Sequence, residues 1–170
     1  MAYPEILILR HLSRHPAHGY ELRKRIEETT GIVINNNSLY PALKRFVEAG
    51  AVRVTVVQHE SRPPRHVYEL TDVGRELLHD LLSELPAGQA GDDLEFLTRL
   101  GQFAFLDPVE RAAILDVRSA ALETRQERLA ALTERASGEY WSSAVIAHLR
   151  EQAEAELRWL AELRAEATRR

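Results

Sequence analysis

Two clusters of residues in this chain have the types and spacing for chemistry. Asn37, Ser38, Lys44 and Arg45 fall within one short helical segment, and Arg62, Arg65 and His66 fall in a proline-rich stretch beyond Gly50. At about 100° per residue, Asn37, Ser38, Pro41, Lys44, Arg45 and Glu48 share one side of a helix, and Leu39, Leu43, Phe46 and Val47 share the other. Amides and hydroxyls can hydrogen-bond base edges, and an arginine can pair with guanine O6 and N7. Both cations can neutralise phosphates, and the N–H groups that open such a helix attract them. Arg62 beside Pro63 and Pro64 suits a narrow minor groove, where negative potential is concentrated. Taken singly, a cationic helix face is ordinary solvated surface and an Arg–Pro–Pro–Arg tip is an ordinary loop. Their order is what carries information: two short helices, a polar-faced third, Gly50, then two extended runs with a basic tip. That is the outline of a winged helix-turn-helix, with duplex DNA as its partner.

Other chemistries leave less trace. No G-x-S-x-G elbow, H-E-x-x-H pair or glycine-rich phosphate loop is present, so no catalytic residue and no cofactor are expected. His59, Glu60 and His66 could bracket a metal across the wing, but an exposed loop is a poor scaffold for ligands, and no metal is expected. The absence of cysteine excludes disulfides, thiolate zinc sites and a thiol nucleophile. The longest apolar runs fall far short of the ~20 residues that span a bilayer, and no signal-peptide pattern opens the chain. A cytoplasmic protein with no membrane contact is expected.

The net charge of −4 conceals two unlike halves. Residues 1–75 hold 11 Lys/Arg against 8 Asp/Glu, a net of +3, and residues 76–170 hold 11 against 18, a net of −7. The side that faces a polyanion is therefore the first.

The elements that position these residues follow from periodicity and punctuation. Ile6 to Leu12 reads as a helix stopped by Pro16, and a second opens at His18–Gly19–Tyr20 and stops at Gly31. The third is expected to be capped by Asn37 or Ser38, with Pro41 in or beside its first turn and Gly50 at its end. Val52 to Val57 and His66 to Leu70 read as two strands, joined by a connection over 60–65. Thr71 caps a fourth helix reaching about Leu85. Residues 86–92 read as a linker. Asp92 or Asp93 opens a helix from Leu94 to Leu106, apolar on more than one face. Asp107–Pro108–Val109–Glu110 is a helix start with a capping box. Leu115, Leu122 and Leu129 form a seven-residue stripe continued by Leu132 and Ala136. Ile146, Ala153, Leu160 and Ala167 repeat it, so two long helices form an antiparallel hairpin whose remaining apolar surface calls for a second subunit. The expected fold is mainly α with a small two-stranded β wing. Residues 1–86 form a winged helix-turn-helix domain, and 92–170 form an α-helical dimerisation and effector domain.

The runs His18–Gly19–Tyr20–Glu21–Leu22 and Asn37–Ser38–Leu39–Tyr40–Pro41–Ala42–Leu43 resemble the two signatures of PadR-family transcriptional regulators. Gly50 and the stretch Tyr68–Glu69–Leu70–Thr71–Asp72–Val73–Gly74–Arg75 are similar to that family's later landmarks, and the likeness spans about residues 5–85. Beyond it, Phe96–Leu97–Thr98–Arg99–Leu100, Asp107–Pro108–Val109–Glu110–Arg111 and Glu156–Leu157–Arg158–Trp159–Leu160 resemble the helical domain of the larger, virulence-activator-like branch. The resemblance implies a homodimeric repressor that answers to a small aromatic or drug-like effector. It also implies that Tyr20 and Tyr40 hold the DNA backbone, that Ser38, Lys44 and Arg45 meet DNA, and that the wing reaches the minor groove. Asn35–Asn36–Asn37 departs from the family's Pro/Gly residues before the serine; asparagine also tolerates left-handed turns.

Phe96, Phe103, Tyr140, Trp141 and Trp159 are the candidate effector-binding residues. Aromatics at helical spacing more often belong to a core. Trp159 lies beside the Leu157–Leu160 stripe rather than in it. An alternative of another class remains, a winged-helix module that docks proteins without specific DNA binding.

Overall fold

The protein is described by a computed structural model that covers residues 2–59, 62–135 and 138–168, with the backbone alone for 57–59 and 62–64. The chain divides into two compact units, Met1–Leu82 and Ser83–Arg170.

In the first unit, α1 (Tyr3–Leu12), α2 (Gly19–Thr30) and α3 (Asn36–Glu48) precede a small sheet and α4 (Asp72–Ser83). Ile6, Ile8, Leu9, Leu22, Ile26, Leu39 and Leu43 make the core where the first three helices meet. A fully buried aliphatic side chain contributes about 2 kcal/mol, so this cluster is what holds α3 with its polar side outward. The sheet has three strands rather than two, in the order β1-β3-β2: β1 (Ala17–His18), β2 (Val52–His59) and β3 (Arg62–Leu70). β3 runs antiparallel to both neighbours, with its Tyr68 opposite Val54 of β2 on one side and Ala17 of β1 on the other. A strand of two residues has no periodicity to read, so it escaped the sequence.

The 60–65 connection is also shorter than expected, because β3 begins at Arg62 and takes in Pro63 and Pro64. Pairing is irregular there: Val57 faces Arg65 and His59 faces Arg62, so one residue of β2 stands against two of β3. A bulge leaves ladder positions unbonded, and there the missing proline N–H groups cost little. Residues 60 and 61 lie outside the described residues.

Two junctions lock the end of α3 to α4. Gly50, at φ 72°, turns the chain out of the helix in the left-handed region. Thr71 Oγ1 accepts from the Gly74 N–H at 3.2 Å and donates to Gly50 O at 2.7 Å, so the cap of α4 is also a clamp on that turn.

In the second unit, α5 (Asp93–Leu100) is capped by Asp92, whose Oδ1 accepts from Leu94 and Glu95 N–H. It stops six residues before Leu106: Gly101 ends it, and Phe103–Phe105 form a single 3-10 turn. The segment expected as a linker forms a 3-10 turn at Ala87–Gln89, followed by Ala90, which is fully buried. α6 (Pro108–Arg135) starts with the expected reciprocal cap: Asp107 Oδ1 accepts from Val109 and Glu110 N–H, and Glu110 Oε2 accepts from Asp107 N–H. α7 (Tyr140–Ala167) returns antiparallel, with Arg164 on Asp116, Arg118 on Glu156 and Gln126 on Arg150. Leu115, Leu122, Leu129, Ala153, Leu160 and Ala167 are buried along this seam. Ile146 is half-buried and Leu132 is 44% exposed, so the stripe frays toward the connected end of the hairpin, near the end of α6 and the start of α7. Ala136 lies outside the described residues.

Candidate nucleic-acid interface

The start of α3 sets the geometry of the interface. The cap is Asn35, not Asn37 or Ser38: Asn35 lies in extended backbone and its Oδ1 accepts from the Ser38 N–H at 2.8 Å. This also resolves the Asn35–Asn36–Asn37 departure. Among the described residues no non-glycine adopts a positive φ, so the asparagines supply a cap rather than a left-handed turn. With the helix starting at Asn36, Pro41 sits inside it, past the first turn. Its missing N–H leaves the Asn37 carbonyl without the usual helical partner, on the exposed side. Asn37, Ser38, Tyr40, Pro41, Lys44 and Arg45 are all exposed, while Leu39, Ala42, Leu43 and Phe46 are buried.

The two cations on that face carry internal counter-charges. Lys44 Nζ lies 3.8 Å from Glu48, one turn on, and Arg45 Nη2 is bonded to Glu5 of α1. The pairing of Arg45 was invisible to sequence reasoning.

Beside this face lies a groove of about 640 Å³ lined by residues of both sequence signatures and of β3. Tyr20, Lys24, Tyr40, Arg65, His66 and Tyr68 contribute to it. β1 explains how these residues meet. Pairing of His18 with Val67, and donation from His18 Nδ1 to His66 O at 3.0 Å, fasten the start of α2 to β3. The His18 side chain, engaged there, does not cap α2, which leaves the N–H groups of its first turn uncapped by it, on residues Gly19, Tyr20 and Glu21 that also line the groove. Tyr40 reaches across from α3 over Gly19, where a Cβ would come within 2.8 Å of the Tyr40 ring. Tyr20 is 68% exposed, and the Arg23 guanidinium lies 5.8 Å from its ring centre. Burial, with the neighbouring Tyr40 second, raises the Tyr68 pKa, so its phenol stays a neutral hydroxyl. Helix N–H groups, tyrosine hydroxyls and the Lys24 and Arg65 cations are what a phosphodiester oxygen needs.

Arg65 and His66 are exposed on β3, as a basic wing requires. The Arg62 side chain lies outside the described residues, as do those of His59 and Glu60. Lys24 and Tyr68 were not among the DNA-binding residues expected from sequence; Lys24 follows the first signature on the same helix and Tyr68 opens a later landmark, which are the signals that could have found them.

The candidate effector residues do not form one cluster. Phe96 is buried and meets Trp159 edge to face at 6.4 Å, above Arg118, whose guanidinium is 5.2 Å from the Phe96 ring centre. Trp159, Leu97, Asp93, Arg118 and Glu156 line a small cavity of about 250 Å³. Tyr140 and Trp141 pair with each other at 5.0 Å and are largely exposed. Phe103 is half-buried in its 3-10 turn. Among the described residues no group of three or more His, Asp or Glu could hold a metal, and no helix is long and apolar enough to cross a membrane.

Residues 8–80 match the family model described as the transcriptional regulator PadR-like family. Among solved structures, the chain is similar to a PadR family transcriptional regulator from Eggerthella lenta DSM 2243, with 32% identity over 46% of this chain and 70% of that one (TM-score 0.41). It is also similar to smu.1704 from Streptococcus mutans UA159, with 35% identity over 45% of this chain and 70% of that one (TM-score 0.39). Bacillus subtilis PadR, solved in complex with operator DNA, is 20% identical over 98% of both chains (TM-score 0.47). No curated protein matches.

Proposed function

Because the chain belongs to the PadR-like family of transcriptional regulators, we propose that it is a sequence-specific DNA-binding repressor that works as a homodimer. The observation that carries this reading is the exposed polar side of α3 beside the tyrosine-lined cationic groove. In this reading Asn37, Ser38 and Lys44 enter a major groove, Tyr20, Tyr40, Pro41 and Arg45 meet the backbone, and Arg62, Arg65 and His66 reach the flanking minor groove.

Two copies would read half-sites about 34 Å apart on an inverted repeat. The apolar side chains that one copy leaves exposed on the second unit support the dimer: Leu97, Phe105, Val109, Leu132 and Trp141 are 44–80% exposed. The length of α6 and α7 supports membership of the larger branch. A small aromatic effector at the cavity beside Trp159 or at Tyr140–Trp141 would bias the spacing of the two recognition helices and so release the operator.

Gel-shift titration against a duplex carrying the chain's own upstream region tests the DNA reading. Lys44→Ala and Arg45→Ala should each weaken binding, and log affinity should fall with log salt with a slope of about −0.9 per phosphate contact. Unchanged affinity in both variants would remove α3 as the recognition helix. Light scattering decides the dimer. Tryptophan fluorescence during titration with aromatic compounds decides the effector; a flat response across a broad panel counts against it.

A further inference from the structure

Arg45 does not stand alone on the outward side of α3. Its Nη2 donates to Oε1 of Glu5, in the first turn of α1. The partners are 40 positions apart, so the pair exists only because α1 packs against α3. The side chains keep 58% and 28% of their surface exposed, so the pair sits in contact with water at the rim of the interface. The partner of Lys44, by contrast, comes from its own helix.

A carboxylate and a phosphodiester offer a guanidinium the same kind of anionic oxygen. Arg45 lies in the last turn of α3, away from the N-terminal end that reaches base edges, and on the flank nearest α1. Its natural DNA ligand is therefore a backbone phosphate. Building on the DNA-binding function above, we propose that Glu5 is an internal stand-in for that phosphate. It holds Arg45 in the free protein, the duplex displaces it, and the cost of displacement sets the affinity of the protein for DNA. When Arg45 turns to the phosphate, the Glu5 carboxylate is left beside a polyanion, which adds repulsion to the lost ion pair.

The test is a double-mutant cycle, read by fluorescence anisotropy with a random-sequence duplex at low ionic strength. Glu5→Gln should tighten binding by about two- to five-fold, the range expected of an exposed ion pair. Arg45→Ala should weaken binding, and adding Glu5→Gln to it should recover less than that gain. Glu5→Ala repeats the measurement with a second side chain, and unchanged melting confirms that both variants are folded. No change in Glu5→Gln, weaker binding, or an equal gain with and without Arg45 overturns the proposal. If the wild-type chain binds neither this duplex nor its own upstream region, the DNA-binding function itself fails. Normal wild-type binding with an indifferent Glu5→Gln removes only the role of Glu5.

Discussion

Gly19 lies directly beneath the ring of Tyr40: a Cβ built on Gly19 would stand 2.8 Å from Tyr40 Cε1 and 3.1 Å from its hydroxyl. The glycine of the first signature thus makes room for the tyrosine of the second, which joins the two helices at the groove. Tyr40 is 45% exposed and can swing away, so Gly19→Ala should cost less than about 1 kcal/mol of stability. Its effect should fall on DNA affinity instead. Denaturant melts beside gel shifts check this, and normal binding by the variant would refute a role for the Tyr40 position.

Gly74 gives the opposite expectation. A Cβ there would lie 2.1 Å from the Ala51 carbonyl oxygen, which is backbone and cannot rotate away. Gly74→Ala should lower stability by about 1–3 kcal/mol through displacement of α4. The midpoint of urea unfolding reads it, and a shift no larger than that of an exposed substitution would contradict the packing described.

Arg118 is 1% exposed and has three polar partners: Asp93 at 2.6 Å, Glu156 at 2.7 Å and the Ala90 carbonyl at 2.8 Å. Breaking a buried ion pair on one side leaves an uncompensated charge and typically costs about 3–5 kcal/mol. Asp93 is 70% exposed and Glu156 25%, so water softens that figure here, and about 2 kcal/mol is expected for Arg118→Met. Combining it with Glu156→Leu should restore part of the loss, because the stranded carboxylate is gone. Thermal melts of the two variants decide it.

His11 makes stability depend on pH. Its Nδ1 donates to Leu7 O at 2.7 Å, and Nε2 lies 2.8 Å from Thr29 Oγ1. Burial lowers the pKa below 6.5; the Leu7 carbonyl opposes this, and Arg14, Arg10 and Arg25 add to it. The unfolded chain therefore takes up the proton first. The contribution of His11 is complete above pH 6.5 and is lost as pH falls from there through the folded pKa. Melting temperature measured from about pH 8 to about pH 5.5 should decline in the lower part, and His11→Gln should flatten the decline.

What the chain determined on its own is local. The apolar side of α3, the heptad leucines of α6, the left-handed stops at Gly31 and Gly50, and the Asp107–Glu110 cap are each specified within one or two turns. Periodicity and capping are short-range physics, so residue order exposes them. The outward exposure of Asn37, Ser38, Lys44 and Arg45 was legible for the same reason.

Only the tertiary structure decided the rest. Asn35 won the cap of α3 over Asn37 and Ser38 because three adjacent asparagines and a serine are chemically equivalent candidates until the backbone selects one. β1 exists only because β3 offers an edge to two residues, and Pro63 and Pro64 are tolerated in a strand only because a bulge receives them. Glu5 on Arg45, Tyr40 over Gly19 and Arg118 among Asp93, Glu156 and Ala90 join residues 21 to 40 positions apart. No local pattern encodes such contacts, because they depend on how whole helices cross and on which charges desolvation forces together.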